Sequence, residues 1–529
     1  MPSKSVYLET VGCQMNVLDS ELVLGQLTAM GYQATDDFRS ADLVLINTCS
    51  VRQHAEDKVY SRLGEIKHIK KHRPEMIVGV IGCMAERDHA GIQDRAPFVD
   101  LICGPGNLNQ IPDLVAEAVE GRTKTGETAE HGQDAHVTKM GEAFASSSRP
   151  VALERDHSRR VDPARRTLAY DSMEMLDLSR TPPTDGKALQ SYIRVQRGCD
   201  KFCTFCVVPF TRGPERSRPP EHIVQEARKL AAAGAREITL LGQTVNSYTY
   251  AENGRTVRFA ELLERVHAVE GIDRIRFVTS YPGDFTDDIL YAMRDLPKVC
   301  EYLHIPAQSG SNAVLRRMKR QYSVEEYVDL IERARRIVPD ISLAGDFIVG
   351  FCGETEAEHE ETLALVERIR YKNLFMFKYS DRPGTAAHRR LPDDVPEETK
   401  KRRHAELSAL QSKLSLQHHH AMVGKRVEVL VEGYSKAAIK AQSDEQSRGQ
   451  EVGWRRSDQL TGRTRGDEIV VFTGPESLIR QLVTVEIIGA TALTLHGEVA
   501  GKRESLVELA IKGHPSSTAG LGRDHDYHH

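Results

Sequence analysis

The sequence has no apolar run that approaches the roughly 18 residues of a membrane-spanning helix. Its first residues, MPSKSVYLETVGC, lack an apolar signal core, so a cytoplasmic protein with no membrane association is expected. It also lacks a dominant charge. The formal net charge is −5 and the sequence pI is about 6.5, whereas nucleic-acid binders are often basic overall. Charge is nevertheless placed unevenly. Basic runs occur at Lys67–Arg73, Arg316–Arg320 and Lys400–Arg403. Each alone reads as a solvated helix face, and together they would offer a phosphate-contacting surface.

What is present is 529 residues, 40% hydrophobic and 28% charged, which suits a globular chain of two to four domains. There are nine cysteines. In a reducing compartment these suggest metal or catalysis before disulfides. Cys199, Cys203 and Cys206 stand in a CxxxCxxC spacing, led by the β-prone run Tyr192, Ile193 and Val195. A structural zinc site wants four protein ligands. A 4Fe–4S cluster on three thiolates keeps one iron open for a small molecule. Ligand softness favours iron–sulfur, with zinc as the alternative.

Residues 1–120 alternate strand and helix signals, which predicts a parallel sheet covered by helices. Cys13, Cys49 and Cys83 each follow a buried-looking strand. In open α/β sheets the ligand crevice lies beyond the carboxyl ends of the strands. The three thus converge on a second metal site, or else are small buried core residues. Residues 121–187 are poor in large apolar side chains, so an extended, partly disordered linker is expected, with YDSMEML as a short docking segment. Six β/α repeats from Gln190 to Tyr379 predict a partial barrel, open on one side, with its site at the C-terminal strand ends. From Gly424 to Ala500 short alternating strands predict a small barrel of OB-like type. Trp454, Arg455, Arg456, Arg463 and Arg465 there combine an aromatic with guanidinium groups, as an RNA contact would. Residues 501–529 read as a disordered tail.

CxxxCxxC after a strand, with Phe202 and Phe205 interleaved, resembles the radical S-adenosylmethionine (SAM) superfamily. The wider string GCDKFCTFCVVPFTRGPERSR is similar to the methylthiotransferases, most closely the tRNA-modifying MiaB branch. GCQMN at Cys13, NTCSVR at Cys49 and GCMAE at Cys83 resemble the N-terminal domain of that family. Cys103 has no ligand counterpart in the family and is expected in the core. The β-rich end resembles the RNA-binding TRAM domain.

The resemblance implies an N-terminal parallel α/β domain at 1–120 with an auxiliary cluster, and a radical SAM core at 188–420 built as a (β/α)6 partial TIM barrel. A TRAM domain would follow at 421–500. It implies two 4Fe–4S clusters and SAM, two per turnover. Phe205, Gly242, Gln243, Ser280, Gln308 and Gly350 become expected SAM contacts. Asn246, Trp454, Arg455, Arg456 and Arg463 become expected substrate or RNA contacts. In the family, one SAM methylates sulfur at the auxiliary cluster. A second gives a 5′-deoxyadenosyl radical that removes hydrogen from carbon 2 of N6-isopentenyladenosine, position 37 of tRNA. The implied partners are that tRNA and an electron donor such as a flavodoxin-type protein, and a monomer is the default expectation. Relatives that methylthiolate threonylcarbamoyl-adenosine in tRNA, or a ribosomal-protein aspartate, are the alternatives within the family. A non-catalytic iron–sulfur or zinc RNA-binding protein is the alternative outside it.

Overall fold

The computed structural model describes residues 4–50, 53–129, 150–153, 163–181, 189–440 and 458–501. Residues 1–411 form one compact unit and 412–529 a second. The division falls inside the helix Glu397–His420.

The chain opens with strands β1 (Ser5–Val11), β2 (Gln33–Ala34), β3 (Leu43–Thr48), β4 (Ile77–Gly82), β5 (Leu101–Cys103) and β6 (Val151–Ala152). They form one parallel sheet in the order β2-β1-β3-β4-β5-β6. LVLINT in β3 and IVGVIG in β4 are buried at every position. Continuous apolar strands of this kind are what a sheet covered on both faces requires. The covering helices are α1 (Gln14–Ala29), α2 (Gln53–Lys70), α3 (Cys83–Arg87), α4 (His89–Arg95) and α5 (Ile111–Ala129).

The segment 121–187 carries more structure than a linker. Val151 and Ala152 add the edge strand β6, and α6 spans Pro163–Leu178. Met173 and Leu176 of α6 join the core on one face of the N-terminal sheet. Composition hides this because the other anchors of α6 are buried charges.

The second α/β region holds β7 (Gln190–Arg194), β8 (Gln196–Arg197), β9 (Arg216–Ser217), β10 (Glu237–Leu241), β11 (Thr249–Glu252), β12 (Arg255–Arg258), β13 (Arg274–Phe277), β14 (Tyr302–His304), β15 (Ser342–Val349) and β16 (Asn373–Lys378). Two parallel sheets, β13-β10-β7 and β14-β15-β16, meet where Ile275 bridges Val299. The Ser280 N–H donates to the His304 carbonyl at 3.1 Å across the same seam. Six parallel strands therefore follow one another in sequence order, as in a partial barrel. The antiparallel pairs β8–β9 and β11–β12 are additions that the β/α repeat did not predict.

The second unit contains a closed barrel of β17 (Arg426–Tyr434), β18 (Gln459–Arg463), β19 (Ile469–Thr473), β20 (Leu482–Ala490) and β21 (Leu495–Val499). Val429, Val431, Val470, Phe472, Val485 and Leu495 fill it. Among the described residues, no helix is long and apolar enough to cross a membrane.

Candidate functional site

Strands β1, β3 and β4 are neighbours, and their register pairs Val11 with Thr48 and Thr48 with Gly82. The residues that follow are Cys49 and Cys83, with Cys13 one position further on. Three cysteines separated by tens of residues thus stand in one row at the carboxyl edge of the sheet.

Two glycines shape that row. Gly82 has φ +94°, and a Cβ there would meet Asn47 Oδ1 and the Thr48 carbonyl. A Cβ on Gly12 would lie 2.7 Å from the Asn16 side chain. Behind the row runs a buried amide network. Asn16 Nδ2 donates to Asn47 Oδ1 at 2.9 Å and to the Thr48 carbonyl at 3.0 Å. Asn47 Nδ2 donates to the Asn16 carbonyl at 2.8 Å and to Ser20 Oγ at 2.9 Å. The Cys13 thiol donates to Asn16 Oδ1 at 3.3 Å. Both asparagines sit inside the GCQMN and NTCSV motifs, where only the cysteines had been singled out. Burial pushes the Cys83 thiol up to about 12, against the nearby charge of Arg212. Ser50 Oγ, next to Cys49, is buried with no hydrogen-bond partner among the described residues.

The second group lies on the loop between β8 and β9. Gly198 has φ +67°, and a Cβ there would strike the carbonyls of Gly213 and Pro214 on the returning chain. The Cys199 N–H donates to the Gly213 carbonyl at 3.2 Å. Phe202 takes φ +48° between the first two cysteines. Thr204 ties the loop to Met318 and Arg317 through bonds of 3.0 and 2.9 Å. Arg320 Nη1 donates to Cys203 Sγ at 3.3 Å, and its guanidinium lies over the rings of Tyr281 and Tyr322. Burial pushes Cys199 up to about 11 and Cys206 further still. Among the described residues, no three His, Cys, Asp or Glu side chains close on one point as the ligands of a single metal ion do. A four-iron cluster is wider than one ion, and within each trio the thiols are electrostatic neighbours.

The expected SAM contacts fall at the same end of the barrel. Gln243 Oε1 and Ser280 Oγ, after β10 and β13, are buried with no hydrogen-bond partner among the described residues. Gln308 takes φ +73° after β14. Phe205 packs edge-on to Phe351. A Cβ on Gly242 would meet Val245 and Gln196 at 3.2 and 3.3 Å. Gly350, φ +70°, faces the Lys400 side chain, so a flexible stem fills the space beside it. Asn246 is engaged at both ends of its amide. It donates to the Tyr281 carbonyl at 2.8 Å and accepts from the Tyr281 N–H at 2.6 Å, which fixes the loop after β13. Trp454, Arg455 and Arg456 lie outside the described residues. Arg463 is paired with Asp467 at 2.9 Å and Glu432 at 3.1 Å.

The basic runs are not simple solvated faces. Lys70 is buried against Asp100, Arg317 holds Glu358 at 2.7 Å, Arg320 reaches Cys203, and Arg403 holds Glu354 at 2.8 Å.

Residues 5–104 match the model of the uncharacterized protein family UPF0004, and residues 193–366 that of the radical SAM superfamily. The chain is 46% identical, over 97% of its length and 98% of the relative's, to a tRNA-2-methylthio-N(6)-dimethylallyladenosine synthase of Rhodopirellula baltica. A synthase of the same description from a Thermoanaerobacter species is 39% identical over 93% of this chain and 92% of its own. The chain belongs to the MiaB-type radical SAM methylthiotransferase family. Among solved structures, the radical SAM methyltransferase TsrM of Kitasatospora setae aligns over 73% of this chain and 77% of its own, at 14% identity. Its TM-score is 0.46, too low to argue from.

As a radical SAM methylthiotransferase, the chain takes a 4Fe–4S cluster and SAM. The residues present fit them: three thiols on a closed loop, an arginine donor to one sulfur, and two buried oxygens without partners at adjacent strand ends.

Sequence reasoning missed a lock of buried ion pairs. Asp19 of α1 accepts from Arg194 Nη1 at 2.7 Å and Arg212 Nη2 at 2.8 Å. Asp177 of α6 accepts from Arg194 Nη2 at 2.5 Å and Arg197 Nη2 at 2.7 Å. Arg218 spans Glu174 and Glu226, both at 2.8 Å, and Arg180 spans Glu226 and Glu21. Burial pushes the Asp19 and Asp177 carboxyls up, and the guanidiniums outweigh it, so both are held below the usual carboxylate range. The only signal for this lock was the acid-rich YDSMEML itself.

Proposed function

We propose that this chain methylthiolates carbon 2 of N6-dimethylallyladenosine at position 37 of tRNA, using two 4Fe–4S clusters. The observation that carries the reading is the row of Cys13, Cys49 and Cys83 on three adjacent strands, in one compact unit with the CxxxCxxC loop. One three-thiol site suffices to cleave SAM, and a second is what sulfur insertion adds. The substrate follows from the descriptions of the relatives.

With cluster and SAM bound, one electron passed to SAM supplies the reactivity that attacks an unactivated C–H bond. The protein's part is placement. Cys199, Cys203 and Cys206 hold the first cluster, and Cys13, Cys49 and Cys83 the second. Arg320 donates to Cys203 and tunes the first site through its charge. Gln243 and Ser280 offer oxygens to SAM donors, and Phe205 and Gln308 line the same end, whereas Gly242 and Gly350 serve close packing against Val245, Gln196 and Lys400. The five-stranded barrel acts as a TRAM-type RNA-binding module. The enzyme works as a cytoplasmic monomer supplied with electrons by a flavodoxin-type protein.

An anaerobic assay with SAM, reductant and isopentenylated tRNA tests this. A 2-methylthio nucleoside is the expected product. Formation of 5′-deoxyadenosine without it refutes the substrate, and bound zinc in place of about eight irons per chain refutes the clusters.

A further inference from the structure

The loop that holds the first cysteine trio also reaches the second. After Cys206 the chain forms the short helix α7 (Val208–Thr211), which packs against α3, the helix that begins at Cys83. The next residue is Arg212. Its side chain is 7% exposed, and it donates to Asp19 Oδ2 at 2.8 Å. Asp19 lies on α1, the helix that begins after Cys13, and is itself fully buried. Its other oxygen is taken by Arg194 at 2.7 Å. The Arg212 guanidinium is therefore fixed by a carboxylate at the end of α7, beside the helix that begins at Cys83, and the Cys83 and Cys13 thiols are within its electrostatic reach.

From this geometry we infer that Arg212, oriented by Asp19, is a positioning residue for the auxiliary cluster, a cation lent to the second site by the loop of the first. The inference rests on the reading of Cys13, Cys49 and Cys83 as cluster ligands. Three thiolates and a reduced cluster concentrate negative charge at one place, where Cys49 and Cys83 are buried and Cys13 is exposed. A fixed cation beside them stabilises the added electron and raises the reduction potential, because net charge near a cluster helps to set its potential. Distant charges in the same lock are mutually neutralised. Arg212 differs in following α7, which packs against the helix that begins at Cys83.

The test uses the full chain with Cys199, Cys203 and Cys206 all changed to Ala, so that only the second site is loaded by iron and sulfide. Iron content, the electron paramagnetic resonance spectrum and the midpoint potential are measured. In that background Arg212→Gln is expected to lower the midpoint potential or the iron retained, and Arg212→Lys to restore most of it. An unchanged potential and iron content in Arg212→Gln overturns the inference. So does equal loss in Gln and Lys variants, which would mean that shape matters and charge does not. Failure of the background protein with Arg212 intact to take up any cluster overturns instead the reading of the second site, and the inference falls with it.

Discussion

Changing Asp177 to Asn tests the buried lock with almost no change of volume. Asp177 accepts from Arg194 Nη2 at 2.5 Å, from Arg194 Nε at 3.3 Å and from Arg197 Nη2 at 2.7 Å. Its side chain is 2% exposed. Each bond to a charged partner is worth roughly 1.5–3 kcal/mol. Arg194 keeps Asp19, so the loss is less than the sum, and the cost of stranding one buried partner is about 3–5 kcal/mol. At 1.4 kcal/mol per tenfold, that opens the docking of α6 on the order of 100-fold or more. Hydrogen–deuterium exchange reads this as faster exchange in the amides of α6, with strands β17–β21 of the second unit unchanged. The sign of the pH dependence follows. The folded carboxyl lies below its unfolded value, so its contribution is complete above the ordinary carboxylate range and is lost as pH falls through the folded value. The Asn variant lacks that acid-side decline. Exchange within threefold of the parent, or an unaltered acid response, would refute the account of α6 as held by charge.

Gly82→Ala forces a side chain into φ +94° and against the Thr48 carbonyl at 2.7 Å; a loss of about 1–3 kcal/mol is expected, with iron falling towards half while SAM cleavage persists. Asn47→Ala strips partners from Asn16 and from the Asn16 carbonyl, at roughly 1–3 kcal/mol, and should shift the spectrum of the second cluster alone; an unchanged spectrum counts against the amide network as its support. Arg320→Ala removes the donor to Cys203 and should slow 5′-deoxyadenosine formation while leaving iron at Cys13, Cys49 and Cys83; equal effects on both sites would contradict the assignment of Arg320 to the first.

What was legible in the sequence followed from distance along the chain. Cys199, Cys203 and Cys206 are local, and one loop explains them. Cys49 and Cys83 were legible because they follow ADLVLI and MIVGVI, whose burial on both faces announces a central parallel strand, and Cys13 because it follows the β-prone run SVYLET, which is only half-buried. The six barrel strands announced themselves in the same way. Two-residue strands such as Gln33–Ala34 and Val151–Ala152 carry no periodicity to read. The hairpin Thr249–Arg258 was hidden because its exposed positions alternate weakly. Helix α6 was misjudged for a physical reason. A rule that counts apolar residues scores Glu174 and Asp177 as solvent-facing, yet Asp177 is buried and Glu174 half-buried, both paired with arginines that come later in the chain.

The two cysteine trios are held in shape by different means, and this bears on how they relate. The row at Cys13, Cys49 and Cys83 inherits its spacing from the strand register and the Asn16–Asn47 network, and so from the core of the sheet. The CxxxCxxC loop inherits its shape from its ends. Gln196 pairs with Ser217, Cys199 binds the Gly213 carbonyl, and Gly198 packs where no side chain fits. Because the loop is closed by backbone contacts at 198 and 213, the residue just inside that closure, Arg212, is carried with it. Asp19 then fixes α1 to the loop, and Arg194 fixes the same carboxylate to β7. One buried acid therefore couples the helix that begins at Cys13, the strand that leads into CxxxCxxC, and the loop that bears it. On the proposed reading the two trios act on one substrate, and charge pairing, which is directional where apolar packing would allow sliding, ties together the elements that bear them.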